Sequence, residues 1–157
     1  MREIDYAWAA GFFDGEGYVG IAKKNKTYMT KRGQTSSRTY TLVISAGNMS
    51  LAALRVFIIL FGGGIARQKA NGKSYYHWRT EAQKASTALQ KMLPYLTVKK
   101  DIAQKGIEFQ SLKYPRGAPL TIEEKNIYEN YYLFMKEVHK NDYSNQIEWE
   151  RLLSEKV

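Results

Sequence analysis

The stretch AWAAGFFDGEGYV, residues 7–19, determines how the rest of this chain is interpreted. Ala7, Ala10, Gly11 and Asp14 recur at helical spacing, so one face of the predicted helix carries little side-chain bulk. A face of this kind lets a second helix backbone approach closely. Since glycine inside a helix costs about 0.5–1 kcal/mol relative to alanine, Gly11 indicates a packing requirement.

The end of this helix is rich in acid and glycine. The sequence Asp14-Gly15-Glu16-Gly17 places two carboxylates beside two flexible residues. Negative charge at the C-terminal end of a helix opposes the helix dipole. A divalent cation would offset this repulsion, because carboxylate and carbonyl oxygens are the ligands that Mg²⁺ and Ca²⁺ prefer. The stretch predicts a helix, a metal-binding turn and a strand; an ordinary helix with an Asp-Gly turn is the simpler alternative.

Residues 9–17, AAGFFDGEG, resemble the motif of the LAGLIDADG homing endonucleases. The resemblance implies that Glu16, at the eighth motif position, binds the catalytic metal together with the backbone carbonyl of Gly15. The metal is expected to be Mg²⁺, with Mn²⁺ or Ca²⁺ as alternative occupants. Ala9 and Glu16 depart from the motif's namesake letters, Leu and Asp. The resemblance also implies that the helices of two copies pack together, with an interface of Ala7, Ala10, Gly11 and Asp14.

Composition limits the class of protein. The chain has 157 residues and a formal net charge of +9, which indicates a polyanionic partner, most often nucleic acid. It has no cysteine, which excludes disulfides and thiolate-zinc sites and favours a reducing, intracellular compartment. His77 and His139 are far apart, which argues against a histidine-based metal site. Neither a membrane-spanning run nor a targeting signal is seen, so we expect no membrane association.

Hydrophobic periodicity predicts helix, two strands, helix, two strands, helix, and then further helices. We predict that a polar connector, residues 27–37, joins the first two strands, and that Asn71-Gly72 forms a type I′ hairpin turn. Asn48 is the predicted N-cap of the second helix, and Thr121 and Glu124 have the spacing of a capping box. The glycines at 62–64 predict a helix-to-strand turn, with a phosphate-binding loop as the alternative, and residues 114–119 are a predicted break. Alternation in the last strand places Trp78 in the core. The predicted helices span 6–14, 49–61, 81–93, 99–112, 121–140 and a short segment from Asn145, and the strands span 18–26, 38–45, 65–70 and 75–80.

This order predicts an α+β fold with one curved antiparallel sheet of four strands and helices on a single face. The αββαββα order also resembles the fold of the LAGLIDADG endonucleases through Lys105. We predict a single domain, residues 1–157, with a core of about 5–112 and C-terminal helices in about 121–157. Because the motif occurs once, a homodimer is expected.

The uncovered face of this sheet is the predicted DNA-binding surface. The DNA major groove is about 12 Å wide and admits a β-ribbon, where Arg or Lys reads guanine and Asn or Gln reads adenine. A solvated polar face is the alternative, and Gly20 and Ala22 carry no side chain that could read a base. The predicted DNA-binding residues are Lys24, Lys26, Lys31, Arg32, Gln34, Thr39, Thr41, Arg67, Lys69, Asn71, Tyr75, His77 and Arg79.

A second resemblance lies in LPYLTVKK, residues 93–100. It implies that Lys99 reaches the active site, with Lys100 as the alternative, where it polarises solvent or balances charge on the phosphate. A solvent-exposed lysine at a helix start is the simpler interpretation. Relatives often place a polar residue after the second strand, where this chain has Ala46 or Gly47; Ser45 or Asn48 is a possible substitute.

These features predict a homodimeric, Mg²⁺-dependent, site-specific endonuclease of double-stranded DNA, encoded by a mobile intron. Twofold symmetry predicts a long, near-palindromic target. One alternative is a maturase that binds intron RNA on the same scaffold. The other is a cleavage-inactive DNA-binding protein, which the residues at 46 and 47 favour.

Overall fold

The computed structural model describes residues 2–113 and 120–140. The predicted break at 114–119 and the predicted helix from Asn145 lie outside these ranges. Pro94 is part of a short 3-10 helix, Leu93–Tyr95, before the fourth helix. The elements are α1 (Glu3–Glu16), β1 (Gly17–Thr30), β2 (Gly33–Asn48), α2 (Leu51–Phe61), β3 (Gly64–Ala70), β4 (Lys73–Glu81), α3 (Ala82–Met92), α4 (Lys100–Ser111) and α5 (Ile122–Lys140).

The four strands form one antiparallel sheet in the order β1-β2-β4-β3. The helices pack on one face, and the hydrophobic core lies between them and the sheet. The predicted α+β fold and single-sided helix layer are confirmed. We call the other face the open face; register assigns to it Tyr18, Gly20, Ala22, Lys24, Lys26, Thr39, Thr41, Val43, Ser45, Gly47, Ala66, Gln68, Tyr75, His77, Arg79 and Glu81.

Trp78 lies at the centre of the core, as its alternation in β4 predicts. Its ring is fully buried and packs against Phe57 with 4.8 Å between centroids. The indole Nε1 donates a hydrogen bond to the carbonyl of Gly62 at 2.8 Å. Gly62 and Gly63 have φ of 69° and 89°, which glycine adopts without steric cost. The glycine run is therefore the predicted helix-to-strand connection.

The first hairpin is longer than predicted. Strand structure continues through residues 27–30 and 33–37, and the turn contains only Lys31 and Arg32. The prediction of a polar connector was therefore wrong. Thr27, Tyr28 and Thr35 belong to the residue types that favour extended backbone. Both faces of this part of the hairpin are exposed, so the alternation of polar and apolar residues that reveals a strand is lost.

The second hairpin has the predicted turn, but its register corrects the predicted face. Asn71 and Gly72 both have positive φ, at 50° and 74°, as a type I′ turn requires. Arg67 pairs with Tyr76, and Lys69 pairs with Ser74. Directly paired residues share a face. Arg67 and Lys69 therefore lie opposite the open face, and Asn71 lies in the turn itself.

Two predicted helix caps have different outcomes. Asn48 ends β2 and is not the N-cap of α2; Ser50 is, and its backbone N–H donates to the Asn48 Oδ1 at 2.8 Å. The capping box before α5 is confirmed. Thr121 N donates to Glu124 Oε2 at 2.7 Å, and Glu124 N donates to Thr121 Oγ1 at 3.2 Å.

Glu129 of α5 ties this helix to the first hairpin. It accepts a hydrogen bond from Lys23 Nζ at 2.7 Å and another from the hydroxyl of Tyr40. The Lys23 ammonium and then the Tyr40 hydroxyl hold the pKa of Glu129 below its ordinary value. Burial, and then the bond to Glu129, raises the pKa of Tyr40. The cluster braces the helix-covered side of β1 and β2.

We expect Glu129→Gln to lower the free energy of unfolding by about 1 kcal/mol at pH 7, because a neutral amide binds Lys23 and Tyr40 less strongly. The pKa of Glu129 lies below its ordinary 4.5 in the folded state. Its contribution is thus full above that value and is lost as pH falls through the folded pKa. Urea unfolding from pH 7 to pH 3 should show the two proteins converging.

The control for this test is Glu123→Gln, which removes the same charge from the exposed first turn of the same helix. It should change the free energy of unfolding by only a few tenths of a kcal/mol. A difference between wild type and Glu129→Gln that stayed constant across the pH range would contradict the assignment.

Candidate catalytic centre and nucleic-acid interface

Glu16 lies where α1 passes directly into the sheet. It is the last residue of α1, and Gly17 is the first residue of β1 and pairs with Ala46. A Cβ at Gly17 would collide with the carbonyl oxygen and ring of Phe13, so this junction requires glycine. Glu16 is exposed, and within the described ranges its carboxylate makes no hydrogen bond or ion pair. It is therefore available to an external ligand.

Asp14 turns toward the segment before α4. Its carboxylate accepts hydrogen bonds from the backbone N–H of Thr97 at 2.7 Å and of Lys99 at 2.8 Å. N–H groups at a helix start carry partial positive charge, so they compensate an acid that opposes the dipole of α1. Asp14 thus fixes the start of α4 to the end of α1.

Lys99 is the lysine that the structure brings to this junction. It is half-buried, and its Nζ donates a hydrogen bond to the backbone carbonyl of Asp14. Lys100, the predicted alternative, is exposed and is the first residue of α4. The Lys99 ammonium therefore lies beside the end of α1, where it contacts the backbone of Asp14, two residues before Glu16.

The exposed face of α1 differs from the predicted face. Ala10 is 0% exposed and lies in the core, and Asp14 is occupied as described above, which corrects the prediction for both. Ala7 is half-buried, and Gly11 is exposed with open space around its Cα. Small side chains here let α1 approach its own core. Ile4 (65% exposed), Trp8 (45%), Gly11 and Gly15 form one exposed face of α1, and Glu3 and Glu16 are exposed at its two ends.

The first hairpin places most of its predicted residues as expected. Lys24 pairs with Thr39 on the open face, and Lys26 and Thr41 lie on the same face. Lys31 and Arg32 form the exposed tip. Gln34 pairs with Met29 on the opposite face, so it belongs to a strand and not to the predicted connector.

The second hairpin contributes Tyr75, His77 and Arg79 to the open face, as predicted. Arg79 forms an ion pair with Glu81 at 2.7 Å. Gln68, which the sequence analysis missed, pairs with Tyr75, and its Oε1 lies 3.0 Å from His77 Nε2. The two-residue turn Asn71-Gly72 sets the register between β3 and β4, so it was the feature of the sequence that could have placed Gln68 on the open face.

Basic side chains are thus divided between the two faces of the sheet. Lys24, Lys26 and Arg79 lie on the open face, whereas Arg67 lies on the other, where its guanidinium Nε donates to Ser74 Oγ at 2.9 Å. The open face is less basic than predicted.

The end of α5 reaches the outer edge of β1, a contact that the sequence analysis did not predict. His139 Nε2 lies 2.7 Å from the Val19 carbonyl oxygen, and its ring stacks on Tyr18 with 4.6 Å between centroids. The Tyr18 side chain covers Gly20. Burial raises the pKa of Tyr18.

Oxygen donors for a metal lie at the end of α1. The carboxylate of Glu16 and the carbonyl of exposed Gly15 are of the type that Mg²⁺ prefers, but they are fewer than its six ligands. In residues 2–113 and 120–140, no group of three or more His, Cys, Asp or Glu could hold a metal ion. A second chain, water or substrate must therefore complete such a site. No helix in the same ranges combines the length and apolarity needed to cross a membrane.

Residues 9–114 match the family model described as LAGLIDADG endonuclease. The chain belongs to the LAGLIDADG endonuclease family. The match contains both the α1 motif and the segment with Lys99, so the resemblance inferred from those residues is confirmed. No curated protein sequence matches the chain significantly.

Several solved structures have a similar fold. I-Vdi141I, an archaeal intron-encoded homing endonuclease complexed with DNA, matches with a TM-score of 0.66 and 15% identity, over 87% of this chain and 85% of that one. I-TnaI, a homing endonuclease, matches with a TM-score of 0.53 and 22% identity, over 86% and 88%. I-CvuI, bound to an I-CreI target in the presence of Mg²⁺, gives 0.56 and 14%, over 85% and 96%. At these identities the similarity establishes the fold.

Ala46 and Gly47, two positions near the end of β2, carry no polar side chain in this LAGLIDADG chain. Ala46 is 1% exposed and pairs with Gly17 and Trp78 on the core face. Gly47 lies on the open face opposite His77. Ser45 is also on the open face, while Asn48 is engaged with the start of α2.

Asp14→Asn should lower the free energy of unfolding by about 1–2 kcal/mol, because the amide keeps one acceptor and turns an NH₂ group toward a backbone donor. Urea unfolding measures the loss. Hydrogen exchange should show reduced protection of the Thr97 and Lys99 amides. Glu3→Gln, which removes a charge from an exposed residue in the first turn of α1, should have a smaller effect and leave those amides unchanged. Unchanged protection in Asp14→Asn would contradict the proposed link between α1 and α4.

Proposed function

We propose that this chain is a site-specific endonuclease of double-stranded DNA that acts as a homodimer and is encoded by a mobile intron. The observation that carries the proposal is the position of Glu16. Its exposed carboxylate, which has no partner among the residues that the structure describes, lies at the end of a helix with an exposed face, beside Lys99 and next to the open face of the sheet. Membership of the LAGLIDADG endonuclease family supports the reaction class.

The homodimer would form through the exposed face of α1. Ile4 and Trp8 offer apolar area, and Gly11 and Gly15 leave the backbone open to a second helix. Packing two copies there brings two Glu16 carboxylates together and compensates for the small number of donors in one chain. Twofold symmetry then presents two open faces to one duplex, so the target is long and near-palindromic.

The chain's own residues have distinct roles in this proposal. Lys24 and Lys26, with Lys31 and Arg32 at the hairpin tip, bind phosphates and hold the duplex on the open face. The Lys99 ammonium stabilises negative charge on the phosphate under attack. Glu16 and the Gly15 carbonyl hold Mg²⁺, which when bound supplies activation of water and stabilisation of the phosphate charge.

Glu16→Gln should lower the single-turnover rate of DNA cleavage by about a hundredfold or more, because the amide removes the charge on which the site depends. The dissociation constant for the duplex should stay within about threefold, since phosphate contacts dominate affinity. Plasmid-library cleavage and fluorescence anisotropy measure the two quantities. Glu3→Gln, at the exposed start of the same helix, is the charge-matched control.

Unchanged cutting by Glu16→Gln would exclude Glu16 from catalysis. Duplex binding by the wild-type protein without any cutting would favour the cleavage-inactive DNA-binding protein. Absence of both activities, with binding of intron RNA, would favour the maturase.

Gly11→Leu tests the dimer. The open space around Gly11 accommodates a side chain within one chain, and glycine in a helix is unfavourable, so the monomer should be as stable or more stable. The same side chain would hold two α1 helices apart. Sedimentation should show that the dissociation constant of the dimer rises at least tenfold. Ala52→Leu, on the exposed side of α2, should leave association unchanged; equal association of both variants would exclude this face.

A further inference from the structure

A polar cluster covers Gly47 on the open face. Gly47 is buried although the helices lie on the other side of the sheet, because Tyr75 and His77 lie over it. A Cβ at this position would lie 2.7 Å from the Tyr75 hydroxyl oxygen and 3.1 Å from His77 Nδ1. The absence of a side chain at Gly47 therefore creates the space that these two polar atoms occupy.

The register puts this cluster beside the end of α1. Gly17 pairs with Ala46, so Gly47 is the next residue of β2 toward Glu16. Gly47 itself pairs with His77. Neighbouring strands lie about 4.8 Å apart, so the backbones of Gly17 and Trp78 lie about 10 Å apart on either side of Ala46, and each is one residue from Glu16 and His77, respectively.

Gln68 lies beside one ring nitrogen of His77. Its Oε1 is 3.0 Å from His77 Nε2, a contact that favours the tautomer in which Nε2 carries the proton and donates to this oxygen. Nδ1 then keeps its lone pair above Gly47. The Tyr75 ring meets the imidazole edge-on, with 4.8 Å between centroids, and restricts rotation of the ring.

The charged neighbours of His77 on β4 are occupied with each other. Arg79, the next open-face residue of β4, is paired with Glu81 at 2.7 Å. If His77 only filled the space above Gly47, it would need neither a hydrogen-bonding atom at that position nor the Gln68 amide beside its other ring nitrogen. The arrangement instead places one ring nitrogen above Gly47, on the side of His77 that faces β2.

We propose that His77 is a further catalytic residue, whose Nδ1 accepts a proton from the attacking water, with Gln68 and Tyr75 as positioning residues. The inference rests on the proposed endonuclease function. The water oxygen forms a bond to phosphorus while one ester P–O bond breaks. The water proton passes to Nδ1 and on to solvent, and the leaving oxygen takes a proton from solvent.

His77→Phe keeps an aromatic ring above Gly47 and removes the acceptor. We expect it to lower the single-turnover cleavage rate by about a hundredfold, in the range of general-base effects, and to change duplex affinity by less than about threefold. His77→Gln, which restores an acceptor, should recover part of the rate. His139→Phe makes the same substitution at the edge of β1 and should cleave like wild type.

A second measurement does not depend on cleavage. Long-range ¹H–¹⁵N correlation spectra of the wild-type protein should show His77 as the Nε2–H tautomer, and Gln68→Ala should convert it to a mixture of tautomers. A predominant Nδ1–H tautomer in wild type would overturn the inference.

The outcomes separate this inference from the function on which it rests. Cutting by wild type and by His77→Phe at equal rates would overturn the role of His77 and leave the endonuclease intact. Parallel losses of affinity and cleavage in His77→Phe would make His77 a binding residue and also overturn the inference. Failure of wild type to cut any duplex would refute both.

Discussion

The structure depends on the junction at which α1 becomes β1 without a connecting loop. Gly17 has no Cβ because the carbonyl and ring of Phe13 occupy that space, and Phe13 is itself fully buried in the core. Asp14, one turn earlier, holds the start of α4 through two backbone N–H groups. Helix, sheet and the segment of Lys99 therefore meet at one fixed point, and Glu16 is the residue that this point presents to solvent.

Most of the fold followed from periodicity and turn chemistry, and the errors have identifiable physical causes. The extent of the first hairpin was missed because strands that are solvated on both faces have no alternating pattern to detect. The face of Arg67 and Lys69 was wrong because each strand's alternation was considered alone. A two-residue turn at Asn71-Gly72 pairs odd positions of one strand with even positions of the other, so the sequence contained the information needed to correct it.

The candidate site, like the fold, was predicted only in part from the sequence. The α1 motif pointed to Glu16, and the resemblance over residues 93–100 pointed to Lys99 with Lys100 as the alternative. The hydrogen bond from Lys99 to the Asp14 carbonyl supports that preference. A stripe of small residues does not by itself show whether a helix packs against the chain's own core or against a second chain. Ala10 packs in the chain's own core. The cluster above Gly47 required the pairing of three strands, which no local pattern specifies.

The two-stranded extension beyond the helices, residues 24–39, has a consequence for how such a protein changes over generations. Its side chains are exposed on both faces, apart from Thr39, which is only partly so, and they add almost nothing to the core. Substitutions there alter surface chemistry at little thermodynamic cost, while Glu129 and Tyr40 keep the base of the extension in place. Target preference can therefore drift under selection while the scaffold that carries it stays constant.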